Sequence, residues 1–365
     1  MLATASTYGR QPQVAVAPIY AASDAEKSLA DGLAELDRKD FQAAVTDIRR
    51  SASTGYAPAQ NVLGYLYIMG LAGLPKDETE GVRLLRLAVA QSNASATNNL
   101  GAMYWLGLGG VVVDKVEAVR LYRQAANLGD PIALKNMGKA YQFGWAGIEK
   151  DDNAARKYYQ QAADAGNADA TARLGWYHEY GLAGLTNDTR TAISMYRKAA
   201  DKGSADGIYY LARCYEFGNE EIHRDEVEAV KWLQLSASRG DILGEYDLAA
   251  MYTRGAGGLP KDETKAAELF KLSADGGLAP AQAVLGKMYV LGKGGLSKDP
   301  AEAVRLFQLS AAQADPAGQY YLGLLYEFGE GGLPKDTKTA VSWYQKAAAQ
   351  GNADAAKKLG DLHVN

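Results

Sequence analysis

Side chains that carry nucleophilic, acid–base or metal-binding chemistry are sparse in this chain of 365 residues. It has one cysteine, Cys214, and three histidines, His178, His223 and His363, which lie far apart in the sequence. A zinc site or a nucleophilic centre needs several such groups to converge, and no Ser/His/Asp or Cys/His set does so. We therefore predict no catalytic residue, no metal site, no cofactor and no enzymatic activity.

One set of carboxylates is regular enough to suggest acid–base or metal chemistry. An aspartate at a helix entrance, however, accepts a hydrogen bond from an unpaired backbone N–H and suits the positive end of the helix dipole. Some of these aspartates are followed three residues later by a glutamate, such as Glu80 or Glu117, which is the spacing of a capping box. We interpret the set as helix N-caps. Its eight members recur every 37 residues: Asp77, Asp114, Asp151, Asp188, Asp225, Asp262, Asp299 and Asp336.

A second periodic pattern indicates the elements that position these aspartates. Leu-Gly or a near equivalent recurs every 37 residues, with a small residue four positions earlier, usually a tyrosine four positions later, and a glycine seven positions later. The apolar offsets lie on one stripe of a helix, so the pattern predicts an amphipathic first helix that ends at the glycine. The leucine positions are Leu63, Leu100, Met137, Leu174, Leu211, Leu248, Leu285, Leu322 and Leu359.

Each aspartate then begins a second amphipathic helix, which ends at a glycine such as Gly129. Cys214 occupies an offset that most other units fill with Leu, Met or Ala, which predicts a buried packing residue instead of a nucleophile. The loop between the two helices carries an aliphatic residue at a constant offset, and we predict that it packs under the loop. These residues are Leu74, Val111, Ile148, Leu185, Ile222, Leu259, Leu296 and Leu333.

The combined pattern resembles the Sel1-like repeat family, the longer-looped relative of tetratricopeptide repeats. The resemblance rests on an A-x-x-x-L-G-x-x-Y-x-x-G first helix, a G-L-P-K-D-like loop and an A-x-x-x-[YFW]-x-x-A-A-x-x-G second helix. It implies an all-α fold, a right-handed α/α superhelical solenoid of helix-turn-helix repeats. Residues 219–224 replace the Gly-rich loop in one unit, which leaves the turn geometry there open.

The phase of the repeat predicts four segments. Residues 1–22 are expected to form a flexible lead-in, and residues 23–56 an N-terminal helix pair like a plain tetratricopeptide repeat. Residues 57–352 then hold eight 37-residue repeats. Residues 353–365 supply a C-terminal capping helix with a polar outer face, which the end of a solenoid requires.

Composition excludes several classes of function. The formal net charge is −4 and no run of Lys or Arg occurs, so we predict no nucleic-acid partner. No stretch of 18 or more apolar residues occurs, which predicts no membrane span and a soluble chain, cytoplasmic or periplasmic if a signal peptide has been removed. A single cysteine excludes the disulfide-stapled branch of the family.

The binding surface is predicted from the family's geometry, in which first helices line the concave face. Offsets −2, 2, 5 and 6 from the leucine then point into a groove, where exposed aromatic residues with Arg, Lys and Asn are typical of recognition. For Phe143, Tyr180, Phe217 and Phe328, packing beneath the loop is an equal alternative. The predicted groove residues are Asn98, Trp105, Lys135, Lys139, Phe143, Trp176, Tyr180, Tyr209, Arg213, Glu216, Phe217, Tyr246, Tyr320 and Phe328.

These observations lead to one main hypothesis and two alternatives. The main hypothesis is a non-catalytic adaptor that binds a protein or peptide segment in its groove, and the family resemblance implies bacterial signalling, secretion or host interaction, or eukaryotic quality control. The first alternative is a carbohydrate-binding module for cell-wall or exopolysaccharide fragments, because exposed Trp and Tyr with Asn and Asp also suit sugar rings. The second is the regulatory repeat region of a larger effector enzyme.

Overall fold

The computed structural model describes residues 19–362, and within that range the chain forms 19 α-helices and no β-strand, which confirms the all-α class. A short 3₁₀ turn at Trp145–Gly147 lies in one of the loops. The helices are α1 (Ile19–Asp37), α2 (Phe41–Ser53), α3 (Ala57–Met69), α4 (Glu78–Ala90), α5 (Ala94–Leu106), α6 (Lys115–Asn127), α7 (Pro131–Phe143), α8 (Asp152–Asp164), α9 (Ala168–Glu179), α10 (Thr189–Asp201), α11 (Ala205–Phe217), α12 (Glu226–Ser238), α13 (Ile242–Arg254), α14 (Glu263–Asp275), α15 (Ala279–Leu291), α16 (Pro300–Ala312), α17 (Pro316–Phe328), α18 (Thr337–Ala349) and α19 (Ala353–Asp361).

The chain divides into two compact units, Met1–Asn167 and Ala168–Asn365. In the first unit, α1 to α8 pack as four successive helix pairs. In the second, α9 to α18 pack as five pairs, and α19 covers α18. Helix α1 begins at Ile19, inside the segment predicted as a lead-in; the rest of that segment, and His363, lie outside the described residues.

The predicted aspartate caps are confirmed at the start of every second helix from α4 to α18. Each of the eight side chains accepts a hydrogen bond from the backbone N–H two or three residues further on, as Asp262 does from Lys265 at 2.8 Å. These bonds satisfy N–H groups that the helix itself leaves unpaired. The carboxylates therefore serve the fold, and no catalytic role is needed to explain their period.

The recurring Leu-Gly is explained by close packing between the two helices of a pair. A Cβ built on Gly175 would lie 2.7 Å from the ring of Tyr196 on the second helix, and one on Gly323 would lie 2.6 Å from Tyr344. Only a hydrogen side chain leaves room for an aromatic ring at that distance. The tyrosine ring therefore packs directly on the glycine, and this packing fixes the position of the tyrosine hydroxyl between the two helices.

The loop residue predicted to pack under each loop is fully buried at two positions, Leu74 and Ile222, and half-buried at the other six. The unusual loop at residues 219–224 has its own turn geometry. Asn219 Oδ1 accepts hydrogen bonds from the N–H groups of Glu221 and Ile222, and the ψ angle of Gly218 is 164°, whereas Gly255 adopts the left-handed conformation. Ile222 is buried in this loop as well. The backbone of the loop therefore differs from that of the other loops, while its aliphatic residue still packs beneath it.

Successive helix pairs share their apolar interior. In the second unit, one buried cluster joins Ala212, Leu233, Leu248 and Phe270, which come from four consecutive helices, α11 to α14. Each pair therefore buries its apolar face against the next pair, as the repeat pattern predicts. No helix within residues 19–362 is both long and apolar enough to cross a membrane.

Candidate functional site

The structure brings five of the predicted groove residues into a single cleft of about 350 Å³ in the second unit. We call it the aromatic cleft. It lies between α9 and α11 and the loop that follows α11. Its lining consists of the predicted residues Trp176, Tyr180, Tyr209, Arg213 and Phe217, together with Glu179, Tyr210, Cys214, Gly218 and Asn219.

Two aromatic rings of this cleft are exposed to solvent, and the others are half-buried beside them. Tyr180 is 59% exposed and Phe217 is 61% exposed. The ring of Trp176 lies 5.4 Å from that of Tyr180, in a tilted arrangement. Phe143, at the same offset in the first unit, is 54% exposed, and its ring stacks on that of the loop residue Trp145 with centres 6.4 Å apart. None of the four side chains for which packing beneath the loop was the alternative is buried. Exposed rings on a rigid helix pair are suited to stacking against a ligand.

The polar groups around the aromatic cleft are mostly engaged with one another. The Arg213 guanidinium lies 4.4 Å from the centre of the Phe217 ring, donates to the Tyr209 hydroxyl at 3.3 Å, and lies 3.6 Å from a carboxylate oxygen of Asp247. Burial raises the pKa of Asp247, while the charge of Arg213 opposes that shift. Three neighbouring side chains therefore fix the orientation of the Arg213 guanidinium in the cleft.

Two further groups in the cleft have restricted chemistry. Cys214 is 5% exposed, and burial raises the pKa of its thiol to about 12, so the thiol stays protonated at neutral pH and is a poor nucleophile. This confirms its predicted packing role. Burial also raises the pKa of Tyr210 to about 12, and its hydroxyl accepts a hydrogen bond from Arg173 at 2.9 Å.

Glu179 is the anionic group of the aromatic cleft. Its Oε2 accepts a hydrogen bond from the buried Tyr196 hydroxyl at 2.6 Å. Burial and the neighbouring Glu179 charge raise the pKa of Tyr196, which keeps that hydroxyl a donor. Glu179 was not among the predicted groove residues, although it shares its offset with Glu216 and could have been identified from that offset. Tyr210 and Asn219 were missed because neither has a groove-facing offset.

Two of the predicted groove residues are buried, and the exposure expected for them is wrong. Asn98 is 4% exposed and accepts a hydrogen bond from Asn136 at 3.0 Å. Glu216 is 8% exposed and pairs with Arg254 at 3.2 Å. Both bonds join first helices of consecutive repeats. These side chains hold neighbouring repeats together and are not available to a ligand.

The remaining predicted residues lie outside the aromatic cleft. In the first unit, Trp105 packs on Trp145 with ring centres 4.4 Å apart and has Lys115 over its ring. Lys135 and Lys139 are half-buried on α7.

In the second unit, Tyr246 packs against Phe270 at 5.5 Å, and Tyr320 lies 5.9 Å from Tyr344. Phe328 has Lys358 over its ring at 5.1 Å. Five of the predicted residues thus share the aromatic cleft, and the others make separate contacts within their own units.

The comparison with known families agrees with the repeat fold. The Sel1 repeat matches the chain in eight consecutive segments, at residues 57–93, 94–130, 131–167, 168–204, 205–241, 242–278, 279–315 and 316–352. The chain belongs to the Sel1 repeat family. None of the curated proteins compared with it matches.

Several solved structures are similar to this Sel1 repeat chain. One is a Sel1 repeat protein from Oxalobacter formigenes, with 28% sequence identity and a TM-score of 0.52, covering 87% of this chain and 89% of that one. Another is c5321, a protective antigen of uropathogenic Escherichia coli strains, with 30% identity and a TM-score of 0.44 over 94% of this chain and 80% of that one. A third is the immunity protein Pa5087 of Pseudomonas aeruginosa, with 21% identity and a TM-score of 0.42, covering 60% of this chain and 81% of that one.

Within each unit, the position just before the glycine that ends each first helix forms an exposed row. We call it the terminal row. In the second unit it is apolar except for Arg254, which pairs with Glu216. Apolar side chains repeated at one register are suited to contacts with an extended segment. The members are Met69, Leu106 and Phe143 in the first unit and Tyr180, Phe217, Arg254, Leu291 and Phe328 in the second.

Proposed function

We propose that this Sel1 repeat chain is a non-catalytic scaffold that binds a protein or peptide segment, with the aromatic cleft as its anchoring site. Sel1 and tetratricopeptide-like repeats are in general folds of protein–protein interaction. The proposed setting is bacterial signalling, secretion or host interaction. The observation that carries the proposal is the convergence of Trp176, Tyr180 and Phe217 in one cleft with more than half of the Tyr180 and Phe217 side chains exposed.

The proposed binding mode follows from the rigidity of the cleft. Its rings stand on α9 and α11. Gly175 of α9 packs closely against Tyr196 of α10, and the Ser204 side chain caps the start of α11, so little conformational entropy is lost when a partner binds. Aromatic anchors in a preformed site carry most of the binding energy in many interfaces. A segment held at the cleft would then extend along the terminal row of the second unit, over Leu291 and Phe328.

A peptide-display selection tests this proposal. The immobilised chain is offered a random peptide library, and the affinities of the selected peptides are measured for the wild type, for Tyr180→Ala and for Phe143→Ala. Phe143→Ala is the matched control because it removes a similarly exposed ring at the same offset outside the cleft. We expect Tyr180→Ala to weaken binding about 30-fold, which corresponds to about 2 kcal/mol, and Phe143→Ala to have little effect.

Failure of the selection to enrich any peptide would contradict the proposal. Equal loss of affinity in the two variants would contradict the assignment of the anchor to the aromatic cleft. Circular dichroism of both variants checks that neither has lost its helical structure.

One arrangement favours a second candidate function, the binding of carbohydrate. Trp176 and Tyr180 lie beside Glu179, Arg213 and Asn219, and sugar-binding sites combine aromatic faces with such polar groups. Titration of the wild type and of Trp176→Ala with cell-wall or exopolysaccharide fragments, followed by calorimetry, tests this candidate. Binding that depends on Trp176 would favour it, and the absence of binding would leave the peptide scaffold as the proposed function.

A further inference from the structure

Three glutamates occupy the same offset in the repeats of the second unit, and they differ in their partners. Glu327 binds Lys358, and Glu216 binds Arg254 at 3.2 Å. Glu179 forms no ion pair with any cation among residues 19–362. At this offset, two repeats therefore carry a glutamate that is paired with a cation of the chain itself. The third repeat carries a glutamate, Glu179, without such a pair.

The site at Glu327 shows what this arrangement binds. The Lys358 ammonium lies 3.0 Å from both carboxylate oxygens of Glu327 and 5.1 Å from the centre of the Phe328 ring. The Tyr344 hydroxyl donates to Glu327 Oε2 at 2.5 Å. A carboxylate and an aromatic face both attract an ammonium group, and the tyrosine holds the carboxylate in place.

The aromatic cleft contains the same carboxylate, tyrosine hydroxyl and aromatic ring, but it has no lysine at the corresponding position. Tyr196 donates to Glu179 as Tyr344 does to Glu327, and Tyr180 takes the position of Phe328. Trp176 adds a second ring where the last repeat has Leu324. The position of Lys358 is taken by Tyr210. Glu179 Oε1 accepts no hydrogen bond from the described part of the chain.

The other charged group of the cleft is already compensated. Arg213 pairs with Asp247 and stacks on Phe217, as described above. Arg173, which donates to Tyr210, is itself paired with Asp206 at 2.9 Å. Glu179 is consequently the one lining carboxylate of this cleft, and no cationic side chain among the described residues pairs with it.

We infer that the aromatic cleft binds the ammonium group of a lysine side chain contributed by the bound segment, between the Glu179 carboxylate and the rings of Trp176 and Tyr180. The partner lysine takes the place that Lys358 fills in the last repeat. This inference rests on the proposed function, because it supplies the residue that anchors the segment. It assigns the cleft a specificity for a cation in a chain with a net charge of −4.

A small cation tests the cleft without any partner peptide. The ¹⁵N-labelled protein is titrated with n-butylammonium chloride, and the indole N–H signal of Trp176, assigned with Trp176→Phe, is followed by NMR. Sodium chloride at equal ionic strength and sodium butyrate are the controls. We expect a saturable shift with n-butylammonium alone, and no saturable shift would overturn the inference.

Variants then identify the groups that bind the cation. Glu179→Gln should fold, because Gln142 accepts the same tyrosine hydrogen bond, from Tyr159 at 2.7 Å, in the first unit. We expect it to weaken n-butylammonium binding at least about tenfold, and Tyr180→Leu to weaken it about threefold. Glu216→Gln, the matched control whose carboxylate is already paired, should leave it unchanged. Equal affinity of the wild type and Glu179→Gln would overturn the inference.

The peptide-display selection separates the two proposals. Peptides that bind through Tyr180 without enrichment of lysine, together with no n-butylammonium binding, would overturn the inference and leave the scaffold function standing. Binding of n-butylammonium that depends on Glu179, with no peptide selected, would support the cation site and contradict the scaffold function. Enriched lysine whose replacement by norleucine weakens binding in the wild type, but not in Glu179→Gln, would support both.

Discussion

The repeat that contains Glu179 and the last repeat, which contains Glu327, share one arrangement of glycine, tyrosine and glutamate, which we call the frame. They differ in the side chain that lies beside the glutamate. In both, a glycine seats a tyrosine ring, and the tyrosine hydroxyl donates to a glutamate at the end of the first helix. In the last repeat Lys358 completes the group, whereas no cation within the described residues pairs with Glu179. The same repeat therefore forms a structural ion pair where Lys358 is present and leaves a carboxylate for a partner where Tyr210 replaces that lysine.

The frame common to both repeats is the feature most sensitive to mutation. We expect Gly175→Ala and Gly323→Ala each to lower the free energy of unfolding by about 2 kcal/mol, because the new Cβ would meet a tyrosine ring at less than 3 Å. Urea unfolding followed by circular dichroism measures this. Gly360→Ala, whose Cβ would meet nothing within 4 Å, is the control and should be neutral or slightly stabilising. A large loss in Gly175→Ala alone would show that the two frames are not equivalent.

The helix caps of the two repeats should also be equivalent. Asp188 and Asp336 each accept hydrogen bonds from the backbone N–H and the hydroxyl of a threonine three residues on. We expect Asp188→Ala and Asp336→Ala to accelerate hydrogen exchange in the first turn of α10 and α18 by about fivefold each. Unchanged exchange in either helix would remove that cap from the common frame.

The contribution of Glu327 to the stability of the last repeat should decrease at acidic pH. Although burial acts to raise it, the hydrogen bonds from Tyr344 and Lys358 hold the pKa of Glu327 below its ordinary value of 4.5. A depressed carboxyl pKa contributes stability that is present above the ordinary pKa and is lost as the pH falls through the lowered pKa. We expect the stability difference between wild type and Glu327→Gln to shrink from pH 4.5 downwards, as measured by urea unfolding at a series of pH values. A difference that grows in acid would contradict the assigned shift.

The fold was predictable because its signals are local. The Asp262 cap and the Gly255 stop each act within a few residues of the chain, so the period of such residues gives the helices directly. The offset rule failed at Asn98 and Glu216 for a physical reason. It assumes that the face of a first helix is free, but the next first helix packs there, and the bonds to Asn136 and Arg254 join residues 38 positions apart.

The contents of the aromatic cleft were only partly predictable. Trp176, Tyr180, Tyr209 and Phe217 could be found from their offsets, whereas Tyr210 could not. The role of Glu179 could not, because it depends on which side chain the following first helix places beside it. In the last repeat that side chain is Lys358, 31 residues after Glu327, and at the cleft it is Tyr210. Such pairs join different repeats and follow no local rule.

The most direct test of this account compares the unfolding free energies of Glu327→Gln and Glu179→Gln at neutral pH. If Glu327 serves the fold and Glu179 serves a partner, Glu327→Gln should lose about 1 kcal/mol through its unpaired lysine, and Glu179→Gln should change by less than about 0.5 kcal/mol. A loss in Glu179→Gln as large as that in Glu327→Gln would contradict the account, because Glu179 would then be a structural residue.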